Sequence, residues 1–134
     1  MEAERADYLI RRINECPFNA ANGIYAVSVE EGHAEVAADL TPDSKNIWDI
    51  PHGGLVYSLG DVASGLTVHS VHDGRAVTVS GTLNYLRSAG KTARRLTGTG
   101  RLIKRGRTMA FVQVEIREDG ETLIASGQYV LHLS

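Results

Sequence analysis

Residues 46–61 read "NIWDIPHGGLVYSLGD", and the architecture of the whole chain turns on how this stretch is taken. A proline and a His-Gly-Gly triplet lead into an apolar pattern of helical spacing, and the stretch closes on Asp61. Continued to residue 70, Leu55, Leu59, Val62 and Leu66 recur at spacings of four, three and four, the stripe of a helix laid on a core. Gly54, Ser58, Asp61 and Gly65 recur at the same spacings on a second face, which is small and polar. A glycine inside a helix costs roughly 1 kcal/mol against alanine. Gly60 and Gly65 therefore imply that something packs closely against a helix over residues 53–70.

Working outward, residues 2–15 set Ala6, Leu9, Ile10 and Ile13 on one helical stripe, with Glu2 and Glu4 in the favoured first turn. Cys16-Pro17 ends that helix, because the residue before a proline avoids the helical region. "GIYAVSVEEGHAEVAADL" predicts two short strands around a Glu31-Gly32 turn, with Ile24, Ala26 and Ser28 on one face and Tyr25, Val27 and Val29 on the other. Residues 41–52 read as a polar loop holding two of the three prolines. Beyond Asp73-Gly74 the period changes to two. "AVTVSGTLNYL", "TARRLTGTGRLI", "TMAFVQVEI" and "ETLIASGQYVLHL" each alternate, separated by turn signals at Ala89-Gly90, Arg105-Gly106 and Asp119-Gly120. The predicted class is α+β: an antiparallel sheet of about six strands around one long helix, with a short N-terminal helix, in a single domain spanning 1–134.

A chain of 134 residues, 43% hydrophobic and 22% charged, has the composition of a soluble globular protein. Its net charge of −2 implies no general attraction to nucleic acid or membrane surfaces. The single cysteine, Cys16, fits a reducing cytoplasm. "MEAERADYLIRR" carries acids and arginines where a signal peptide needs an apolar run, and no stretch approaches the roughly 20 apolar residues of a membrane span. A cytoplasmic location is the expectation. The charge is uneven, however. From Arg87 to Arg107 there are eight of the 14 basic residues and no acid. That run is either a pair of solvated strand faces or a seat for a polyanion. It holds no Phe, Tyr or Trp, which argues against a stacking platform for single-stranded nucleic acid.

The familiar catalytic signatures are missing. Ser58 has Val56 two residues before it, so only half of a nucleophile elbow is present. "GTGRLIKRG" lacks the third glycine of a dinucleotide loop and the Gly-Lys-Ser/Thr of a P-loop. The five histidines show no clustering with other ligands at zinc spacing, so neither a metal nor a cofactor is expected. The helix start is more informative. Gly53 and Gly54 put bare backbone N–H groups at the positive end of a helix, able either to hold a carbonyl oxygen that becomes an oxyanion or simply to permit a tight junction. Aspartate is a carboxylate at neutral pH and needs no histidine partner to activate water or to attack. Asp61 lies eight residues beyond Gly53, about 12 Å along a helix. One helix therefore cannot present both groups to one carbonyl. Two copies packed antiparallel about a two-fold axis could, and the stripe of Gly54, Ser58 and Gly65 would let them approach.

Asn46, His52-Gly53-Gly54 and Leu59-Gly60-Asp61 in this spacing resemble the hotdog-fold thioesterases of the phenylacetate-pathway (PaaI-like) type. "VTVSGTLNYLRSAG", "LIKRGRTMAFVQVEI" and "DGETLIASGQYVL" are similar to later segments of that family, so the resemblance spans roughly residues 20–132. It implies a hotdog fold and hydrolysis of an acyl-CoA thioester in a homodimer, often paired into a tetramer. Carried over residue by residue, Asp61 is the base or nucleophile and the Gly53 amide polarises the carbonyl. His52 and Asn46 position the thioester or the water, with Gly54 beside them. Val62 and Gly65 stand where many relatives have a threonine, which leaves Thr78 or Ser64 to supply the hydroxyl near the acid. Trp48, Ile50 and Tyr57 shape the acyl pocket, and Arg87, Arg105 and Arg107 are the candidate ligands of the CoA phosphates. A thiol leaving group with a pKa near 8.5 needs little acid help, so so sparse a site suffices. The alternatives are an acyl-CoA-binding hotdog domain without turnover, or a hotdog dehydratase. Asp61 argues against the first, because a pure binder needs no carboxylate facing a polarised carbonyl. The position of the only helix acid argues against the second.

Overall fold

The computed structural model describes residues 1–134. Helix α1 (Ala3–Glu15) and the short α2 (Pro17–Ala21) precede β1 (Ile24–Glu30) and β2 (His33–Asp39). The long helix α3 (Gly53–His69) follows, then β3 (Ala76–Tyr85), β4 (Arg95–Arg105), β5 (Met109–Glu118) and β6 (Thr122–Leu133). The strands form one antiparallel sheet in the order β1-β2-β4-β5-β6-β3 around α3, the hotdog arrangement that the resemblance implied. No helix is long and apolar enough to cross a membrane.

The core lies between α3 and the middle strands, where Leu59, Ala63, Leu66 and Thr67 are essentially without exposure. Glycines on β4 set how closely the helix approaches. A Cβ at Gly98 would stand 3.1 Å from Leu59 Cγ, and one at Gly100 would stand 2.9 Å from the Ala63 carbonyl. The core stripe is therefore Leu55, Leu59, Ala63 and Leu66. Val62, expected on it, is only half-buried: it packs against the edge of the core and also lines the cavity beside Asp61. The loop over residues 41–52 is less irregular than expected, containing a turn of 3-10 helix at Pro42–Ser44 and a bridge between Lys45 and Pro51.

Bulges interrupt β1, β3, β4 and β6, and those in β1 and β3 change the facing that simple alternation predicts. In β1 the register shifts between Ala26 and Ser28, so Ile24 and Ala26 are buried but Ser28, expected on the same face, is exposed. In β3 the shift falls between Thr78 and Ser80. β3 is also an edge strand, paired only with β6, and none of its ten residues is fully buried. Val77 and Val79 are 48% and 54% exposed along it.

Candidate active site

The entrance to α3 is built by the loop before it. The side-chain oxygen of Asn46 accepts from the N–H groups of Trp48 at 2.8 Å and Ile50 at 3.4 Å. The Asn46 N–H donates to the Ile50 carbonyl at 2.8 Å, and Asp49 takes the left-handed conformation (φ 60°) that closes the loop. His52 then caps the helix, its Nδ1 accepting from the Gly54 N–H at 2.8 Å, which leaves any proton of the neutral ring on Nε2. Leu55 and Val56 donate to the His52 carbonyl. The Gly53 N–H alone in this first turn has no acceptor. Both glycine amides were expected to be bare, but only Gly53's is, because His52 occupies the other.

Gly53 opens on a cavity of about 260 Å³ lined by Asn46, Ile50, Tyr85, Arg87 and Ser88, among others. The Tyr85 hydroxyl donates to the Gly53 carbonyl at 2.6 Å. Burial pushes the Tyr85 phenol up, which keeps its proton on. Asn46, Gly53 and Arg87, all singled out in the sequence, thus share one cavity.

Asp61 lines another. Thr78 Oγ1 donates to Asp61 Oδ1 at 2.6 Å, and no cation lies within ion-pair distance of the carboxylate. Around it are Ile13, Cys16, Phe18, Tyr57, Val62, Gly65 and His69, lining about 470 Å³. Gly65 is open: a Cβ built there meets nothing within 4 Å. Beneath this face the buried Tyr129 donates to the Tyr57 carbonyl at 2.8 Å. Burial pushes its phenol far up, with Tyr57 and the Asp61 charge acting in the same direction.

The remaining candidates are dispersed. Ser64 is fully buried and donates to the Asp61 carbonyl at 2.8 Å, so its hydroxyl does not reach the carboxylate and Thr78 alone supplies that contact. Trp48 is 70% exposed on the entrance loop. Arg105 and Arg107 lie at the β4–β5 turn, near the start of β3, whereas Arg87 follows its end. Arg105 donates to His72 Nδ1 at 3.2 Å. The basic run is therefore not one seat within a chain.

Tyr85 and Tyr129 did not stand out in the sequence. Thr78 and Tyr85 are seven positions apart, which in an unbroken strand would put them on opposite faces. The bulge reverses the facing, and both side chains meet α3. Gly81 between them was the available signal, since a Cβ there would stand 2.8 Å from the Tyr129 ring.

Comparison with known proteins gives a consistent picture. The family whose model matches, over residues 50–125, is the thioesterase superfamily. The chain is similar to the medium/long-chain acyl-CoA thioesterase YigI of Salmonella typhimurium, at 30% identity over 94% of this chain and 92% of that protein. Among solved structures, the PaaI protein of the E. coli phenylacetic acid degradation operon superposes with a TM-score of 0.88 and 25% identity, over 98% of this chain and 95% of its own. The smu.793 protein of Streptococcus mutans, solved bound to acetyl CoA, gives a TM-score of 0.75 and 32% identity over 83% of this chain and 88% of its own.

Proposed function

The chain belongs to the thioesterase superfamily and is a thioester hydrolase, and from that premise we propose that it cleaves acyl-CoA into free acid and CoA at sites made by two copies of the chain. The observation that carries this reading is a pair of unsatisfied groups: an Asp61 carboxylate held by one hydroxyl and no cation, and a Gly53 N–H without an acceptor. They line different cavities of one chain and are eight residues apart on one helix, about 12 Å.

A two-fold axis near Gly81 and Thr82 removes that separation. Along β3, Thr78 touches Asp61 and Tyr85 touches Gly53. Antiparallel pairing of two β3 edges about that axis brings Thr78 of one copy opposite Tyr85 of the other, and so each Asp61 toward the second copy's Gly53. The free edge of β3, its exposed valines and the open Gly65 face of α3 all favour such a contact.

In that site the Gly53 N–H of one copy receives the thioester oxygen. Asp61 of the other, with Oδ1 held by Thr78, takes a proton from water on Oδ2 as the water oxygen bonds to the carbonyl carbon. The tetrahedral intermediate keeps its negative oxygen on the Gly53 amide. Its collapse breaks the carbon–sulfur bond, and the departing CoA thiolate recovers the proton from Asp61. The acyl group lies in the apolar cavity of Ile13, Phe18, Tyr57 and Val62 beside Asp61, and Arg87, which lines the Gly53 cavity, takes a CoA phosphate in this reading. Acyl-CoA as substrate is also supported by the naming of YigI and by acetyl CoA in smu.793.

Thiol release from a panel of alkyl- and aryl-CoA esters tests the reading. Wild type should turn over at least one of them. Asp61→Asn should bind the same ester with turnover reduced by a factor on the order of 10² to 10⁴. A wild type that frees no thiol from any ester would remove the hydrolase assignment.

A further inference from the structure

A third cavity, about 510 Å³, lies between α1, the end of α3 and the start of β3. Its floor is apolar, from Leu9, Ile13, Leu66, Ala76 and Val77, and its rim is cationic, from Arg5, Arg12 and Arg75. Arg5 is fixed in place, donating to the His69 carbonyl at 2.8 Å and pairing with Asp73 at 2.7 Å. Asp73 is the one carboxylate lining the cavity, and this pair spends it. Arg12 and Arg75 make no ion pair and no side-chain hydrogen bond. Two uncompensated guanidinium groups thus face one half-apolar cavity in a chain whose net charge is −2. Burial, with the nearby charges of His72, Arg5 and Arg12 added, holds the His69 imidazole below its ordinary value.

This cavity adjoins the acyl cavity. Ile13 and His69 line both, and His69 stands eight residues, two helical turns, beyond Asp61 on α3. A substrate whose carbonyl is at Asp61 therefore has the cationic rim in the neighbouring cavity, about two helical turns away along α3.

We propose that this cavity is an anion seat, in which Arg12 and Arg75 hold a phosphate or carboxylate group of the thioester whose reacting carbonyl lies at Asp61. The proposal rests on the acyl-CoA reading above, and it narrows the substrate. Either the acyl group carries an anionic far end, which leaves the CoA phosphates to Arg87, or the CoA moiety is anchored at this rim by its phosphates and Arg87 is not their seat. The guanidinium fork suits both groups.

The test is a calorimetric titration of three ligands in an Asp61→Asn background, so that binding is read without turnover. The ligands are octanoyl-CoA, its ω-carboxylated counterpart, and octanoyl-pantetheine, which lacks the nucleotide phosphates. Arg12→Gln with Arg75→Gln should weaken Kd by roughly tenfold or more, with Arg5 and its structural pair left intact. Weakening of both CoA esters but not of octanoyl-pantetheine identifies the phosphates as the occupant. Weakening confined to the ω-carboxylated ester identifies the acyl end. Binding of all three unchanged within about twofold overturns the anion seat. If the paired variant is less folded by circular dichroism, Arg12→Lys with Arg75→Lys should bind at an intermediate affinity, and full wild-type binding by that variant would overturn the bidentate role of the two arginines. Wild-type thiol release, measured separately, reports on the hydrolase assignment and not on the seat.

Discussion

Asp61 is served by one hydroxyl, and that contact can be removed with little change of shape. Thr78→Val keeps the β-branched side chain on β3 but deletes the donor to Oδ1. The carboxylate then rotates more freely and is less well aimed at water, so kcat should fall on the order of tenfold to a hundredfold with KM little changed. Thermal denaturation beside the kinetics would show whether stability is untouched. An equal loss from Asp61→Asn alone and from both changes together is expected if Thr78 acts only through Asp61. His69 carries a pH signature. Its folded-state value lies below the ordinary one, chiefly through burial. As pH falls from about 7 toward about 5, the unfolded chain takes up a proton that the native chain resists, so this contribution is present at neutral pH and is lost on acidification. Denaturation midpoints measured across that range should fall less steeply for His69→Gln than for wild type. Arg12→Gln, which removes one of the repelling charges, should raise the His69 titration midpoint seen by NMR. At this scale the sequence disclosed residue identities and spacing, which single out Asp61 and Gly53. It did not disclose which polar groups cancel. Gly54's amide is consumed by His52 and Ser64's hydroxyl by its own helix, and both are matters of rotamer rather than pattern.

Helix α3 contains glycines that do opposite things, and substitution should separate them. A Cβ on Gly60 would stand 2.6 Å from the Tyr129 hydroxyl and 3.0 Å from its ring, under a buried side chain with nowhere to move. Gly60→Ala should therefore cost about 1–3 kcal/mol in urea denaturation, the usual range for overpacking a core. Gly65 meets nothing within 4 Å. Gly65→Leu should leave the chain's own unfolding free energy near wild type while shifting the protein toward monomer in light scattering, and turnover should fall as well because Gly65 also lines the cavity beside Asp61. Sequence periodicity found the helix and read the two glycines alike. Distinguishing them requires knowing which face is covered by Tyr129 of β6, a contact 69 positions away. Strand existence was similarly legible from period-two alternation, because apolar residues on one face leave a local mark. The bulges in β1 and β3 were not legible, since an added residue shifts the pattern without changing its composition. That shift matters most in β3, where it brings Thr78 and Tyr85 to the same helix.

On the scale of the whole molecule, the proposed arrangement gives each chain half of two sites, and this division is itself testable. Asp61→Asn removes the acid and leaves Gly53 intact, while Gly53→Val blocks the carbonyl seat and leaves Asp61 intact. A Cβ at Gly53 already stands 3.3 Å from the Tyr85 ring, so valine crowds the cavity onto which Gly53 opens. Each variant alone should be nearly inactive as a homodimer. Unfolded together in equal amounts and refolded, half of the dimers are mixed, and each mixed dimer carries one site with both groups native and one site with neither. The mixture should recover about a quarter of wild-type activity, the fraction of sites that random pairing in a two-fold dimer restores. The same two lesions combined in one chain and refolded with an equal amount of wild type should halve the activity the wild-type chains show alone, because each mixed dimer then has no site with both groups native. Recovery near zero in the first mixture, with mixed dimers verified by mass spectrometry, would place Asp61 and Gly53 in separate roles and dissolve the shared site. The arithmetic separates this arrangement from a site contained in one chain, because two lesions in one self-contained site on different chains can never complement.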